Sequence, residues 1–274
     1  MAAKIRVRHA VPLWQRLRRR WRSWRGAELG KTHLVHFVDI GEARYKRVVF
    51  AEAEAAQAAV TALEALAGSG CVPALARHEA GEVWVDYVPG RPPRPNDPSD
   101  QARLVDFFLR LYAVGGAVAA DPAPFTAWLR SDLDFLVEAG VLRRDYAASI
   151  EELEQRLRPP GIWRGLDYID PLAKNFIVVN DWLVAIDIEA LEADAILGTG
   201  LAKARLRWPF DPGADFCRRL EDGGGPDLAV QLPWAELCFL CSYFRQKLLQ
   251  GKPGYVRLAA LDQLLESQKA ETPP

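Results

Sequence analysis

Alternating apolar and polar positions mark the first third of the chain. Residues 32–39 and 43–50 alternate, are rich in Val, Phe and Tyr, and flank Ile40-Gly41-Glu42, which predicts a hairpin. Residues 51–67 are rich in Ala and Glu and contain no breaker, so they predict a helix stopped by Gly68 and Gly70. Residues 72–78 and 82–88 predict a second hairpin over Ala80-Gly81, and residues 4–8 are the candidate for a strand ahead of both hairpins. After the Pro-rich stretch 91–99 the period becomes helical. In 100–119, Leu104, Phe107, Phe108, Leu111 and Tyr112 fall on one face. Helices are predicted over 125–140, 146–157, 234–249 and 255–269, with 197–207 and 215–220 helical or mixed. Strands followed by helices predict an α+β protein with a small antiparallel sheet and a mostly helical remainder.

One segment within the helical part breaks the pattern. Residues 165–189 read as strand, turn and strand. They carry Asp170, then Asn175 five positions on, then Asp187 twelve further. Asp170-Pro171 can open a turn and Asn175 can cap one. Asp187 is harder to explain structurally, because it sits in the apolar run Ala185-Ile186-Asp187-Ile188. A carboxylate there costs free energy unless it is paired or bound to a metal.

This spacing resembles the catalytic and metal loops of the protein-kinase-like superfamily. It is closer to the bacterial aminoglycoside phosphotransferase and lipopolysaccharide-core kinase branches, where an acid often stands two positions after the metal Asp, as Glu189 does here. A second block, Glu82-Val83-Trp84-Val85-Asp86-Tyr87-Val88-Pro89-Gly90, is similar to the fifth strand and hinge of the same families. The resemblance implies a two-lobed fold, with 29–90 as the nucleotide-binding lobe, 91–274 as the catalytic and acceptor-binding lobe, and 1–28 as a basic amphipathic extension. It implies ATP and Mg as cofactors. Asp170 would be the catalytic residue, Asn175 and Asp187 the metal ligands, and the backbone from Asp86 to Val88 the adenine contact. Lys46, with Glu54 on the following helix, would be the phosphate-binding lysine and its acid; Arg47 faces the other way, since side chains alternate along a strand. Tyr168 stands where the family carries His. No G-x-G-x-x-G is present; Gly26 and Gly30, with Lys31 next, are the nearest approach. The implied activity is phosphoryl transfer to a hydroxyl acceptor, a lipopolysaccharide-core or other membrane-proximal sugar. The alternative is a catalytically inactive pseudokinase that binds a partner.

Charge adds one feature. The net charge is −1, yet residues 1–25 carry nine Lys or Arg and no acid, which leaves the other 249 residues at −10. Residues 12–25 read as an amphipathic helix with Leu13, Leu17, Trp21 and Trp24 on one face and arginines around the rest. That composition suits an anionic membrane surface, or packing of the Trp face on the protein; nucleic acid ranks behind both. No apolar run approaches 18 residues and no secretory segment is visible, so the expected location is cytoplasmic, peripheral on the inner face of the cytoplasmic membrane. Cys238-Phe239-Leu240-Cys241 lies in an apolar helical run and reads as core rather than as a redox or metal pair. The membrane reading predicts that the full chain co-sediments with anionic vesicles and that a chain beginning at Ala27 does not. Equal pelleting of the two would remove it.

Overall fold

The computed structural model describes residues 5–9 and 33–270. The candidate helix 12–25 and the Gly26, Gly30 and Lys31 segment lie outside the described residues. The chain forms two compact units. The first holds the described residues up to Pro93 together with Phe176–Glu189; the second holds Arg94–Asn175 and the described residues from Ala190 onward.

The first unit is built on an antiparallel sheet of β1 (Ile5–His9), β2 (His33–Ile40), β3 (Ala43–Phe50), β4 (Leu75–Glu79) and β5 (Glu82–Asp86), in the order β1-β2-β3-β5-β4. The β2–β3 turn requires a left-handed residue, and Gly41 supplies it at φ +63°. Helix α1 (Ala53–Ala65) buries Ala56, Ala59, Val60 and Leu63. That stripe packs against the sheet, whose Val48, Val83 and Val85 are also buried. The hairpin β8 (Phe176–Val179) and β9 (Trp182–Ala185) joins this unit. Ala185 N–H donates to Cys71 O at 2.8 Å, and Val178 N–H donates to Arg91 O at 2.8 Å. These bonds explain why 176–189 clusters with the first unit, whereas the sequence reading ran one lobe unbroken from 91 to 274.

The second unit is mostly helical. Helix α2 (Pro98–Val114) is capped by Asp97, whose side chain accepts from Ser99 N–H at 2.9 Å, and has Pro98 in its first turn. Leu104, Phe107, Phe108 and Leu111 form its buried face. Helices α3 (Ala123–Glu138), α4 (Arg144–Leu157), α7 (Gln231–Leu249) and α8 (Leu258–Ala270) share one core containing Leu133, Ile150, Leu240, Phe244 and Leu261. Cys241 is buried in that core and Cys238 packs against it. Burial pushes both thiols up, so they stay protonated and act as small apolar side chains. Between these helices lie the short α5 (Thr199–Arg205) and α6 (Phe216–Asp222).

The second unit also contains a three-stranded sheet, β10-β7-β6, formed by β6 (Ala117–Ala120), β7 (Ile162–Tyr168) and β10 (Leu191–Ile196). The sequence pattern continues the helix of α2 through residue 119. The structure ends it at Gly115 and turns at Gly116, φ +66°, so that Ala117–Ala120 pairs with β7.

Asp167, on β7, is fully buried and ties three elements together. Its Oδ1 accepts from Tyr112 Oη at 3.0 Å and from Tyr168 N–H at 2.7 Å, and its Oδ2 accepts from Gly200 N–H at 2.8 Å. Tyr112 Oη in turn accepts from Gly198 N–H at 3.2 Å. Gly200 has no room for a side chain, because a Cβ there would collide with Tyr168 O and Asp167 Oδ1.

Two outcomes follow from this anchor. Burial raises the Asp167 carboxyl from 3.8 to about 6 against the opposing pull of its donors. The folded chain therefore holds a proton that the unfolded chain lacks between pH 3.8 and about 6. This contribution is complete below 3.8 and is lost as pH rises through about 6, a difference of about 3 kcal/mol. Measured by urea unfolding from pH 4 to 7, the stability of wild type relative to Asp167→Asn should decline by about 2–3 kcal/mol; a pH-independent difference contradicts it. Gly200→Ala should cost about 1–3 kcal/mol in the same assay, and wild-type stability would show that the packing at α5 can relax.

Candidate active site

In the first unit, β3 alternation puts Lys46 on one face and Arg47 on the other. Arg47 pairs with Glu82 and lies over the Trp84 ring, with its guanidinium carbon 5.5 Å from the ring centre. Lys46 is largely buried and turns toward the exit of β9. Its Nζ donates to Ile186 O at 2.7 Å, sits 3.3 Å from Glu189 Oε2 and lies 3.9 Å from Asp187 Oδ1. Asp187 lies two residues past the end of β9, is half-buried, and has Lys46 as an ion partner. Glu189 is the closer of the two acids and is only 7% exposed. Glu54, the acid expected from the helix, is exposed in the first turn of α1, so the acid that meets Lys46 is Glu189 instead. Sequence reasoning used Glu189 only as a family marker.

Asp86 ends β5, and Val88 lies two residues beyond it. Asp86 N–H donates to Ala74 O and Tyr87 N–H donates to Arg44 O, both at 3.0 Å. Among the described residues no backbone carbonyl takes the Val88 N–H.

In the second unit, Tyr168 ends β7 and a 3-10 turn over Ala173–Asn175 follows. Asn175 is nearly buried, and its Nδ2 donates to both Asp170 O and Asp170 Oδ2 at 2.9 Å. The amide is thereby oriented. Asp170 Oδ1 pairs with Lys203 Nζ at 2.7 Å, and the same ammonium donates to Ile169 O at 2.9 Å. Trp208 Nε1 donates to Pro171 O at 2.8 Å and fixes the start of the turn. Tyr168, in the His position of the resemblance, is fully buried and packs edge-on against Phe107 at 5.7 Å, so it serves as core here. Of the basic residues on α5, Arg205 pairs with Glu236, while Lys203 turns to Asp170.

Within the first unit Asp187 and Glu189 offer carboxylate oxygens, and within the second Asn175 offers an amide oxygen; each is the type of ligand that Mg²⁺ takes. Among the described residues no group of three or more His, Cys, Asp or Glu could hold a metal by itself. No helix among them is long and apolar enough to cross a membrane.

No protein-family model matches the sequence, and no curated protein matches it. Solved structures do match. The choline kinase LicA from Streptococcus pneumoniae superposes with a TM-score of 0.59 at 14% identity, over 97% of this chain and 95% of that one. The macrolide 2'-phosphotransferase MphH from Brachybacterium faecium gives 0.56 at 15% identity, over 85% and 88%. The gentamicin complex of APH(2")-IIa gives 0.52 at 13% identity, over 93% and 97%. At these identities the likeness concerns the fold: an antiparallel-sheet N-terminal unit and a largely helical second unit, which is the protein-kinase-like fold of the aminoglycoside phosphotransferases and choline kinases.

Proposed function

We propose that this chain is a Mg-ATP-dependent phosphotransferase acting on a hydroxyl group. The observation that carries the reading is the Lys46 ammonium held against Ile186 O, Glu189 and Asp187. A buried strand lysine beside paired acids is the arrangement that phosphate recognition requires. Lys46 would contact the phosphates, Asn175 and Asp187 would hold Mg²⁺, and the Val88 N–H with its neighbour Asp86 would meet the adenine. Bound Mg²⁺ supplies charge neutralisation along the phosphates. Asp170 orients the acceptor hydroxyl and receives its proton. The bond from acceptor oxygen to γ-phosphorus forms as the bond from γ-phosphorus to the β,γ-bridging oxygen breaks, and ADP leaves with that electron pair. Asn175 and Lys203 fix both carboxylate oxygens of Asp170, which supports an orienting role.

The fold likeness to enzymes named for choline, macrolides and gentamicin supports a small hydroxyl-bearing acceptor. The basic, Trp-bearing segment 12–25 supports an acceptor at a membrane surface, such as a lipopolysaccharide-core sugar, and a peripheral cytoplasmic location. One observation favours the second reading, a pseudokinase: the helix acid Glu54 is exposed instead of meeting Lys46.

Thermal unfolding with ATP, with and without Mg, separates the two readings. A ligand at a hundred times its Kd adds about 2.7 kcal/mol, which for a chain of this size raises the midpoint by roughly 5 °C. The enzyme reading expects a Mg-dependent rise in wild type, absent in Asp187→Asn and reduced at least about tenfold in affinity in Lys46→Met. No rise at millimolar ATP would turn the assignment to the pseudokinase.

A further inference from the structure

The charges around Asp170 in the second unit carry information about the acceptor. Two residues beyond α5, Arg207 donates to Tyr243 Oη, and its guanidinium carbon lies 5.8 Å from the Tyr243 ring centre and 5.3 Å from that of Tyr255. Lys247, one turn along α7 from Tyr243, places its ammonium 4.9 Å from the Tyr243 ring and 5.9 Å from the Tyr255 ring. Two cations thus share one pair of aromatic rings. Lys252 joins them through Gln250, whose Oε1 accepts from Lys247 Nζ at 3.4 Å and from Lys252 Nζ at 3.3 Å. Lys203, on Asp170, is the fourth member.

The counter-charges do not match. Among the described residues Asp170 pairs with Lys203, and no carboxylate pairs with Arg207, Lys247 or Lys252. Arg207 Nε is buried without a hydrogen-bond partner. The Lys247 ammonium is pushed below its ordinary range by burial first, then by Lys203, Lys252 and Arg207, with Asp170 acting in the opposite sense. These groups are therefore near enough to repel one another. Like charges gathered with one shared carboxylate destabilise the folded chain, and an anion placed among them relieves the repulsion. Aromatic faces beside the cations add a surface for the body of a ligand. Choline and gentamicin, named for two of the structural neighbours, are cations, and this cluster repels a cation.

We propose that the acceptor is an anionic hydroxyl compound, such as a phosphorylated sugar or polyol, whose oxyanion lies against Arg207, Lys247 and Lys252 while its hydroxyl faces Asp170. This rests on the phosphotransferase reading and narrows its substrate class. Arg207 supplies the planar donor fork for the oxyanion, and the two lysines supply point charge.

The test uses the full chain in saturating Mg-ADP, so that added anions do not compete for the nucleotide position. Thermal midpoints are read with inorganic phosphate, glucose 6-phosphate, glucose and choline at millimolar concentration. Phosphate and glucose 6-phosphate should raise the midpoint; glucose and choline should not. In Lys247→Gln the affinity for both anions should fall at least about tenfold. Lys252→Gln, outside the helices, should show a smaller loss and serves if Lys247→Gln does not fold. Anion binding equal in wild type and both variants, no anion binding at all, or a midpoint rise with choline instead would each overturn the proposal. Pelleting with phosphatidylglycerol vesicles separates the sources of the anion. Pelleting lost in Lys247→Gln assigns it to a lipid headgroup; unchanged pelleting with lost glucose 6-phosphate binding assigns it to a soluble phosphate. The Mg-ATP rise of the wild type, read alongside without ADP, keeps the two claims apart. If that rise is present and the anion arm fails, only the substrate class is wrong; if it is absent, the phosphotransferase reading itself fails.

Discussion

The second unit depends on a buried carboxylate. Asp167 has no solvent exposure, and a charge in that position would be expelled unless donors met it. Tyr112 from α2, Tyr168 from its own strand and Gly200 from α5 meet it. The charge is tolerated because each donor would itself be unmet without the carboxylate. The penalty that remains shows as a carboxyl raised to about 6. Burial is the larger effect and hydrogen bonding the smaller, which means the anchor specifies position more than it adds stability.

That specificity reaches the turn that carries Asp170 within a few residues. Asp170 lies three positions beyond Asp167, and Lys203 three beyond Gly200. Fixing Asp167 to Gly200 therefore fixes the start of one segment to the start of the other, and the Lys203–Asp170 pair at 2.7 Å closes the same loop of contacts. Helix α5 has only seven residues, too few to hold its orientation by its own hydrogen bonds. Its direction comes from the Asp167 anchor at one end and from buried Trp208, bonded to Pro171 O, just past the other. The absence of a side chain at Gly200 is what permits the close approach.

Much of the fold was legible because period and punctuation agreed. The β2–β3 hairpin, α1 and the long helices α2, α3, α4, α7 and α8 have uninterrupted patterns bounded by Gly or Pro. Strands β6 and β10 were not legible. Ala117–Ala120 and Leu191–Ile196 are rich in Ala, Glu and Leu, residues of high helical propensity, and are strands only because β7 lies between them with open hydrogen-bonding edges. The candidate site divides in the same way. Asp170, Asn175 and Asp187 follow from linear spacing within one segment. The lysine partners do not: Lys203 is 33 residues from Asp170, and Glu189 is 143 from Lys46. The Glu54 expectation came from strand-to-helix adjacency, and adjacency along the chain does not say which way the first turn of a helix points.

The identity of the acid on Lys46 has a consequence for control. When a strand lysine is held by a helix acid, moving the helix breaks the pair, and that movement can act as a switch. Here the acid is Glu189, two positions from Asp187 on the same exit of β9, and Ile186 O adds a backbone contact from the same turn. Strand β3, which carries Lys46, and the hairpin β8–β9 belong to one compact unit. Lys46 is thus held by the turn at the exit of β9 rather than by a side chain of α1.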